Sequence, residues 1–389
     1  MKKVISIILL LGIVLMTGTA TAVSWTDDLG RTVDIPENIQ HVIPASNIAH
    51  ITLSSFDPKY FVSRSMNFPD TAKQYFDKRI LDLLNTGNLY KTESTMQDEQ
   101  LMQMAKYRGV DIVLDIGENK EGLAEDLNKM EHVTGIPFVH ITQDTIDSIP
   151  KSYRTLGRLL SEEERAKDLV TYIQSVIDRF RENINKIGDR KATYIYVTNI
   201  NGNAIYMVGS GTKSANHLQV LDSAATNIAP EAISSRGRGD EYTKEDIFSL
   251  DPDIIIVDAT GGHEYYNEIL ASPQWASLRA VQEGNVFENP VGNPWNWIGQ
   301  PPSSFSKIIS MIWIGSVIYP DIFNYNAKKE IQTFFKTMLN YDMSDDEVSN
   351  LTRYTLNKAE KPATASSPAP IIGILAGLAT AVPIMRRRS

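Results

Sequence analysis

The sequence predicts an α/β protein of two Rossmann-like lobes with mainly parallel sheets, joined by a single long helix. Three observations predict it. The first is a long amphipathic segment in mid-chain. Ser161-Glu162-Glu163-Glu164 fits a capping box, in which a serine hydroxyl and a glutamate three residues on satisfy free backbone donors. Apolar residues then recur at Leu169, Val170, Ile173, Val176, Ile177, Phe180, Ile184 and Ile187, all on one helical stripe, and Gly188 ends it. At 1.5 Å per residue such a helix spans about 40 Å, more than one compact domain needs. It reads as a brace, because the stripe lacks the sustained heptad of a coiled-coil arm.

The second and third observations are the two flanks, which look alike. Before the brace, a helix at 102–107 leads to the apolar strand 110–115 and then Gly117. After it, a helix at 244–250 leads to the strand 252–258 and then Gly261-Gly262. Further strands are expected at 41–43, 138–141, 192–197 and 204–208, with helices between them. Such alternation argues for α/β lobes. The chain then finishes with helices at 303–318 and 328–339, and Ser344–Glu347 opens a last one with another capping box.

The ends differ from the body. Lys2 and Lys3 precede an apolar run at 4–16, and Ala20-Thr21-Ala22 supplies the small residues of a cleavage site. Residues 1–22 therefore read as a signal peptide, too short to span a membrane comfortably. The N-terminal lobe is expected over 23–155, the linking helix over 156–188, the C-terminal lobe over 189–357 and a Pro-, Ala- and Ser-containing tether over 358–370. Residues 371–389 form a hydrophobic tail that stops against Arg386-Arg387-Arg388. A basic cluster past an apolar span stays on the cytoplasmic side, so the body faces outward. The tail reads as a membrane anchor or as a sorting signal exchanged for lipid. It is similar to archaeal surface-sorting tails, with Ser367-Pro368-Ala369-Pro370 in place of their usual Pro-Gly-Phe form.

Composition excludes several functions. No cysteine is present, which removes disulfides, thiolate metal sites, cysteine nucleophiles and a bacterial lipoprotein anchor. The two ends hold five basic residues and no acidic ones, so the net charge of −9 becomes −14 for the body alone. That balance argues against nucleic acid. Gly209-Ser210-Gly211-Thr212-Lys213-Ser214 lacks the four-residue spacer of a phosphate-binding loop. The six histidines show no close metal-ligand spacing, and neither G-x-S-x-G nor H-E-x-x-H is present.

Ligands on such sheets sit at loops beyond the strand ends. The N-terminal lobe there offers Asn47, Arg64 and Glu118, and the C-terminal lobe offers Arg236, Arg238, Thr260, His263, Trp295 and Trp297. Arginines flanked by glycines approach carboxylates or oxyanions closely, with a surface turn as the alternative. Tryptophans suit a flat ligand, with core packing as the alternative.

Trp25-Thr26-Asp27-Asp28-Leu29-Gly30-Arg31-Thr32-Val33-Asp34-Ile35-Pro36 resembles the opening of substrate-binding proteins of the iron-siderophore and cobalamin class of ABC importers. A second match is Tyr242-Thr243-Lys244-Glu245-Asp246-Ile247-Phe248-Ser249-Leu250-Asp251-Pro252-Asp253-Ile254. The resemblance covers residues 24 to 340. It implies two lobes on one rigid helix and a small metal-containing ligand between them. The expected function is the extracellular binding component of an importer for a metal chelate: iron-siderophore, cobalamin or haem. The implied partners are an ABC permease and its ATPase, met by one glutamate per lobe, Glu99 and Glu245. The implied protein is a monomer without a built-in cofactor or a catalytic step. The segment from Pro301-Pro302-Ser303-Ser304 to Ile318-Tyr319-Pro320-Asp321 is also similar to a subgroup that includes molybdate and tungstate binders, so an oxyanion stands as the alternative cargo. An exported hydrolase is the alternative of another class.

Overall fold

The computed structural model describes residues 22–89, 96–189, 191–211, 218–233, 239–292, 296–298 and 303–359. The expected signal peptide, apart from Ala22, and the expected hydrophobic tail lie outside them. Among the described residues no helix is long and apolar enough to cross a membrane.

An antiparallel hairpin opens the chain, β1 (Ala22–Thr26) against β2 (Thr32–Pro36). The N-terminal lobe follows with β3 (Val42–Pro44), α1 (Asn47–Leu53), α2 (Asp70–Lys73), α3 (Lys78–Leu81), α4 (Asp98–Arg108), β4 (Ile112–Gly117), α5 (Leu123–Thr134) and β5 (Phe138–Thr142). Strands β3, β4 and β5 pair in parallel in that order. Side chains alternate across a strand. Ile112, Leu114 and Ile116 therefore enter the main core, while Val113 enters a smaller outer one under α4 and α5.

Two packed helices come next, α6 (Ser148–Leu160) and α7 (Glu163–Ile187). The second is the linking helix, 25 residues and about 37 Å long. The expected capping box at Ser161 is absent. Ser161 closes α6 in a left-handed conformation at φ 54°, whereas a capping serine needs an extended backbone. Glu162 becomes the residue before the helix and makes no capping bond through its side chain.

The C-terminal lobe holds β6 (Thr193–Asn201), β7 (Ala204–Met207), α8 (Gln219–Ala224), β8 (Thr226–Asn227), β9 (Asp240–Thr243), α9 (Lys244–Phe248), β10 (Ile254–Asp258), α10 (Glu264–Ala271), α11 (Arg279–Gln282) and β11 (Val286–Asn289). Its sheet runs β11-β10-β6-β7-β9, with β8 also on β6. Strand β10 is parallel to β6 and β11, whereas β7 is antiparallel to β6 and β9. The sheet is thus parallel at its centre and antiparallel toward one edge.

Four helices finish the described chain: α12 (Ser304–Ile318), α13 (Pro320–Phe323), α14 (Ala327–Leu339) and α15 (Asp345–Leu351). Ser344 and Glu347 do form the capping box of α15. Helix α12 is apolar nearly all round, and a helix of that kind has to be buried. Its isoleucines share one hydrophobic core with Leu114 of the first sheet, Leu169 and Ile173 of α7, and Ile256 and Phe287 of the second sheet. The core therefore runs unbroken through both lobes.

After α15 the chain runs back along the edge of β11. The Glu288 amide donates to the Tyr354 carbonyl at 3.0 Å, and the Ala359 amide donates to the Gly284 carbonyl at 2.9 Å. Between them, the Trp313 indole donates to the Thr355 carbonyl at 2.8 Å.

Helices α6 and α7 approach closely at Gly157, where an added Cβ would lie 2.3 Å from Ala166 Cβ. Neither backbone has room to yield, since both helices are anchored in the common core. Gly157→Ala is expected to destabilise the protein by about 1–3 kcal/mol. A lower urea midpoint with an unchanged m-value checks this.

Candidate ligand cleft between the lobes

In the N-terminal lobe, the strand-end loops bring Ser46, Asn47 and Ser65 together. Ser46 caps α1 by accepting from the Ala49 amide at 3.2 Å, and Asn47 is the first helical residue. The Ser65 hydroxyl donates to the Ser46 carbonyl at 2.9 Å and lies 3.4 Å from Asn47 Oδ1. Arg64 is largely committed to its own lobe. It donates to the carbonyls of Leu83 at 2.9 Å and Met66 at 2.6 Å, and to Asn67 Oδ1 at 2.9 Å. Glu118 follows β4, partly exposed, 3.5 Å from Lys120.

His50 stands behind this cluster, fully buried between Phe61 and Phe68. The Ser65 amide donates to its Nδ1 at 3.2 Å, which leaves the ring proton on Nε2. Nε2 finds no hydrogen-bond partner among the described residues. Burial, aided by the Arg64 charge, pushes the imidazole down to about 3.

In the C-terminal lobe, Asp258 and Asn289 are paired in register at the ends of β10 and β11. The Tyr196 hydroxyl donates to Asp258. The Asn289 amide group donates to the Tyr196 oxygen at 2.7 Å, to Asp258 at 3.1 Å and to the Ile298 carbonyl at 2.5 Å. Asn289 Oδ1 in turn accepts from the Ile298 amide at 2.9 Å. This network pins the segment 296–298 over the strand ends. Burial pushes the Asp258 carboxyl up to about 6.

Polar contacts then join the lobes. The Ser304 amide donates to Gln143 Oε1 at 3.2 Å, and Tyr153 lies 3.1 Å from the Ser304 hydroxyl and 3.2 Å from that of Ser55. Lys307, only 7 % exposed, reaches from α12 to donate to the Asp144 carbonyl at 3.1 Å. Burial holds its ammonium below the usual lysine range against the attraction of Glu118 and Asp144. On the rim, the Thr71 hydroxyl donates to the Gly292 carbonyl at 3.0 Å. On the far side, beside the start of α7, Arg165 donates to Ser55 O at 2.9 Å and Thr337 O at 2.6 Å, next to a hollow of about 670 Å³.

Several expected cleft residues lie elsewhere. Trp297 is 1 % exposed and packs edge-on against Trp313 with ring centres 6.1 Å apart, so it belongs to the core. His263 is turned to the outer face of the second sheet. It pairs with Glu288 at 2.7 Å and lies 4.0 Å from the Tyr354 ring. Glu288 shares its strand face with Val286, which belongs to the outer core. The Thr260 hydroxyl accepts from the Glu264 amide at 2.8 Å and holds the turn into α10. Arg236, Arg238 and Trp295 lie outside the described residues. Glu99 and Glu245 stand exposed in the first turns of α4 and α9.

Comparison with known proteins agrees with this geometry. Residues 112–290 match the model of a family described as periplasmic binding protein. That segment carries the strands β4, β5, β6 and β10 together with the linking helix. Among curated relatives, the Fe(3+)-citrate-binding protein YfmC of Bacillus subtilis (strain 168) is 22% identical over 179 residues, 46% of this chain and 53% of that protein. The match thus spans about half the length of that relative. Among solved structures, an ABC transporter solute binding protein from Sulfurospirillum deleyianum superposes with a TM-score of 0.71 at 21% identity, over 85% of this chain and 99% of that one. The molybdate-bound MolA of Haemophilus influenzae superposes with a TM-score of 0.56 at 17% identity, over 82% and 99%. These structures share the fold.

The buried imidazole makes stability depend on pH. The unfolded chain protonates His50 near pH 6.5, and the folded chain does so only near pH 3. Its contribution is intact above pH 6.5 and is lost as the pH falls through that window, by about 1.4 kcal/mol per pH unit. The unfolding free energy of wild type minus that of His50→Gln should therefore fall between pH 6.5 and 3. A difference that stays flat across urea titrations in that range would contradict the buried neutral state.

Proposed function

We propose that this protein is the extracytoplasmic binding component of an ABC importer for a metal chelate, passing its cargo to a permease and ATPase without a catalytic step of its own. The supporting observation is the joining of two α/β lobes through one continuous core, with a polar seam at the strand ends of the first sheet, in the fold of a solved ABC transporter solute binding protein. Ferric citrate leads the list of chelates because the curated relative is named for it. Asn47, Arg64 and Glu118 would line the near wall, and Arg236, Arg238 and Trp295 are proposed for the far one. Export by residues 1–22, anchoring by residues 371–389 and the lobe boundaries at 155 and 188 belong to the same proposal.

A second cargo, molybdate or tungstate, is favoured by the buried ammonium of Lys307 at the junction and by the molybdate-bound MolA of the same fold. A small oxyanion needs several fixed donors in a compact polar site. The seam between the lobes supplies donors of that kind.

A thermal-shift screen across ferric citrate, siderophores, corrinoids, haem, molybdate and tungstate tests the reading. A cargo present at 100 times its Kd should stabilise the protein by about 2.7 kcal/mol, and no shift with any of them would count heavily against a receptor. Charge reversal at Glu245 or Glu99 should reduce uptake by cells while leaving ligand affinity unchanged. Unchanged uptake would remove the docking role from these glutamates.

A further inference from the structure

Lys307 is the one charged residue of α12, set among serine, phenylalanine and isoleucine in a helix that is buried nearly all round. Lysine is almost never buried without a paired charge. Here no carboxylate comes within ion-pair distance of it among the described residues, and its recorded hydrogen bond is to the Asp144 carbonyl. An ammonium has three N–H donors, so this bond leaves donors to spare. A single bond to a neutral carbonyl does not offset the desolvation of a full charge. A serine or asparagine could hold the same carbonyl without that penalty.

The position of the ammonium supplies the missing partner. Asp144 lies two residues past the end of β5, and Glu118 lies one residue past the end of β4. These strands are paired in register at Gly117 and Thr142, so the ammonium stands at the C-terminal edge of the first sheet. Ligands on parallel sheets sit beyond that edge, and Lys307 reaches it from a helix that follows the second sheet. The carboxylate nearest in charge, Glu118, is partly exposed and already 3.5 Å from Lys120.

We propose that Lys307 is a ligand-contacting residue whose counter-charge is an anionic oxygen of the cargo, a carboxylate of a ferric chelate or an oxygen of a metal oxyanion. The proposal rests on the receptor reading and narrows it to anionic ligands over neutral ones. Lys307→Met keeps the length and apolar stem of the side chain and removes the charge. Because the buried charge carries a desolvation penalty, the variant should melt at the same temperature as wild type or higher.

Calorimetric titration of both proteins with ferric citrate, molybdate and a neutral ferric trihydroxamate decides the matter. Wild type is expected to bind an anionic probe, and Lys307→Met to bind it at least tenfold more weakly. Equal affinity in the variant, or wild-type binding of the neutral chelate alone, overturns the assignment and leaves the receptor reading standing. A lowered melting temperature with weakened binding of charged and neutral probes alike marks a structural tie and also overturns it. Wild type binding none of the three overturns the assignment of Lys307 to these anionic cargoes, while the receptor reading stands or falls on the wider screen that includes corrinoids and haem.

Discussion

Burial of α12 among α1, α7, α8, α13 and α14 is the constraint from which the rest of the molecule follows. The helix has no broad polar face to turn to water, so it is stable only where apolar side chains surround it. Those side chains come from both lobes and from the linking helix, which makes the lobes parts of one core. Fully exposing one isoleucine or phenylalanine costs about 1.5–3 kcal/mol. Wide separation of the lobes would expose many at once. Rigidity therefore comes from shared packing as much as from the length of α7. Under the proposed function, recognition would rely on loops and side chains at the strand ends rather than on large lobe movements.

The fold was readable where periodicity is strong. The apolar strands β4 and β10 and the helices α7, α12 and α14 stand out because an apolar stripe has to face a core. Helix α6 was missed because Pro150 and Gly157 break its pattern on paper. In the structure Pro150 lies in the first turn, where a missing amide matters little, and Gly157 is demanded by the neighbouring helix. The outer strands β9 and β11 are short and carry acidic residues, so they resemble loops. At Ser161 a serine followed by glutamates fitted a cap, but the turn between two packed helices required a left-handed residue there.

The cleft was less readable because a residue type does not say where its side chain points. Trp297 and His263 have suggestive chemistry, yet the pinning of 296–298 by Asn289 sends one inward, and strand alternation puts the partner of the other on the outer face. Asn47 meets Ser65 at the strand ends of the first lobe, while the guanidinium of the neighbouring Arg64 turns to Leu83, Met66 and Asn67. The polar seam of Gln143, Tyr153, Ser304 and Lys307 depends on contacts between residues about 150 positions apart in the chain. The visible clue was the single lysine inside an otherwise uncharged helix.

The last described segment has a bearing on how such a body would sit on a cell. It meets β11 first near Glu288, at the cleft end of the strand, and leaves it beside Gly284, at the opposite end. Whatever follows Ala359 starts from the heel of the lobe, away from the loops that would grip a cargo. The chain thus leaves the described body at the end opposite the strand-end loops, and the approach to those loops stays clear of it.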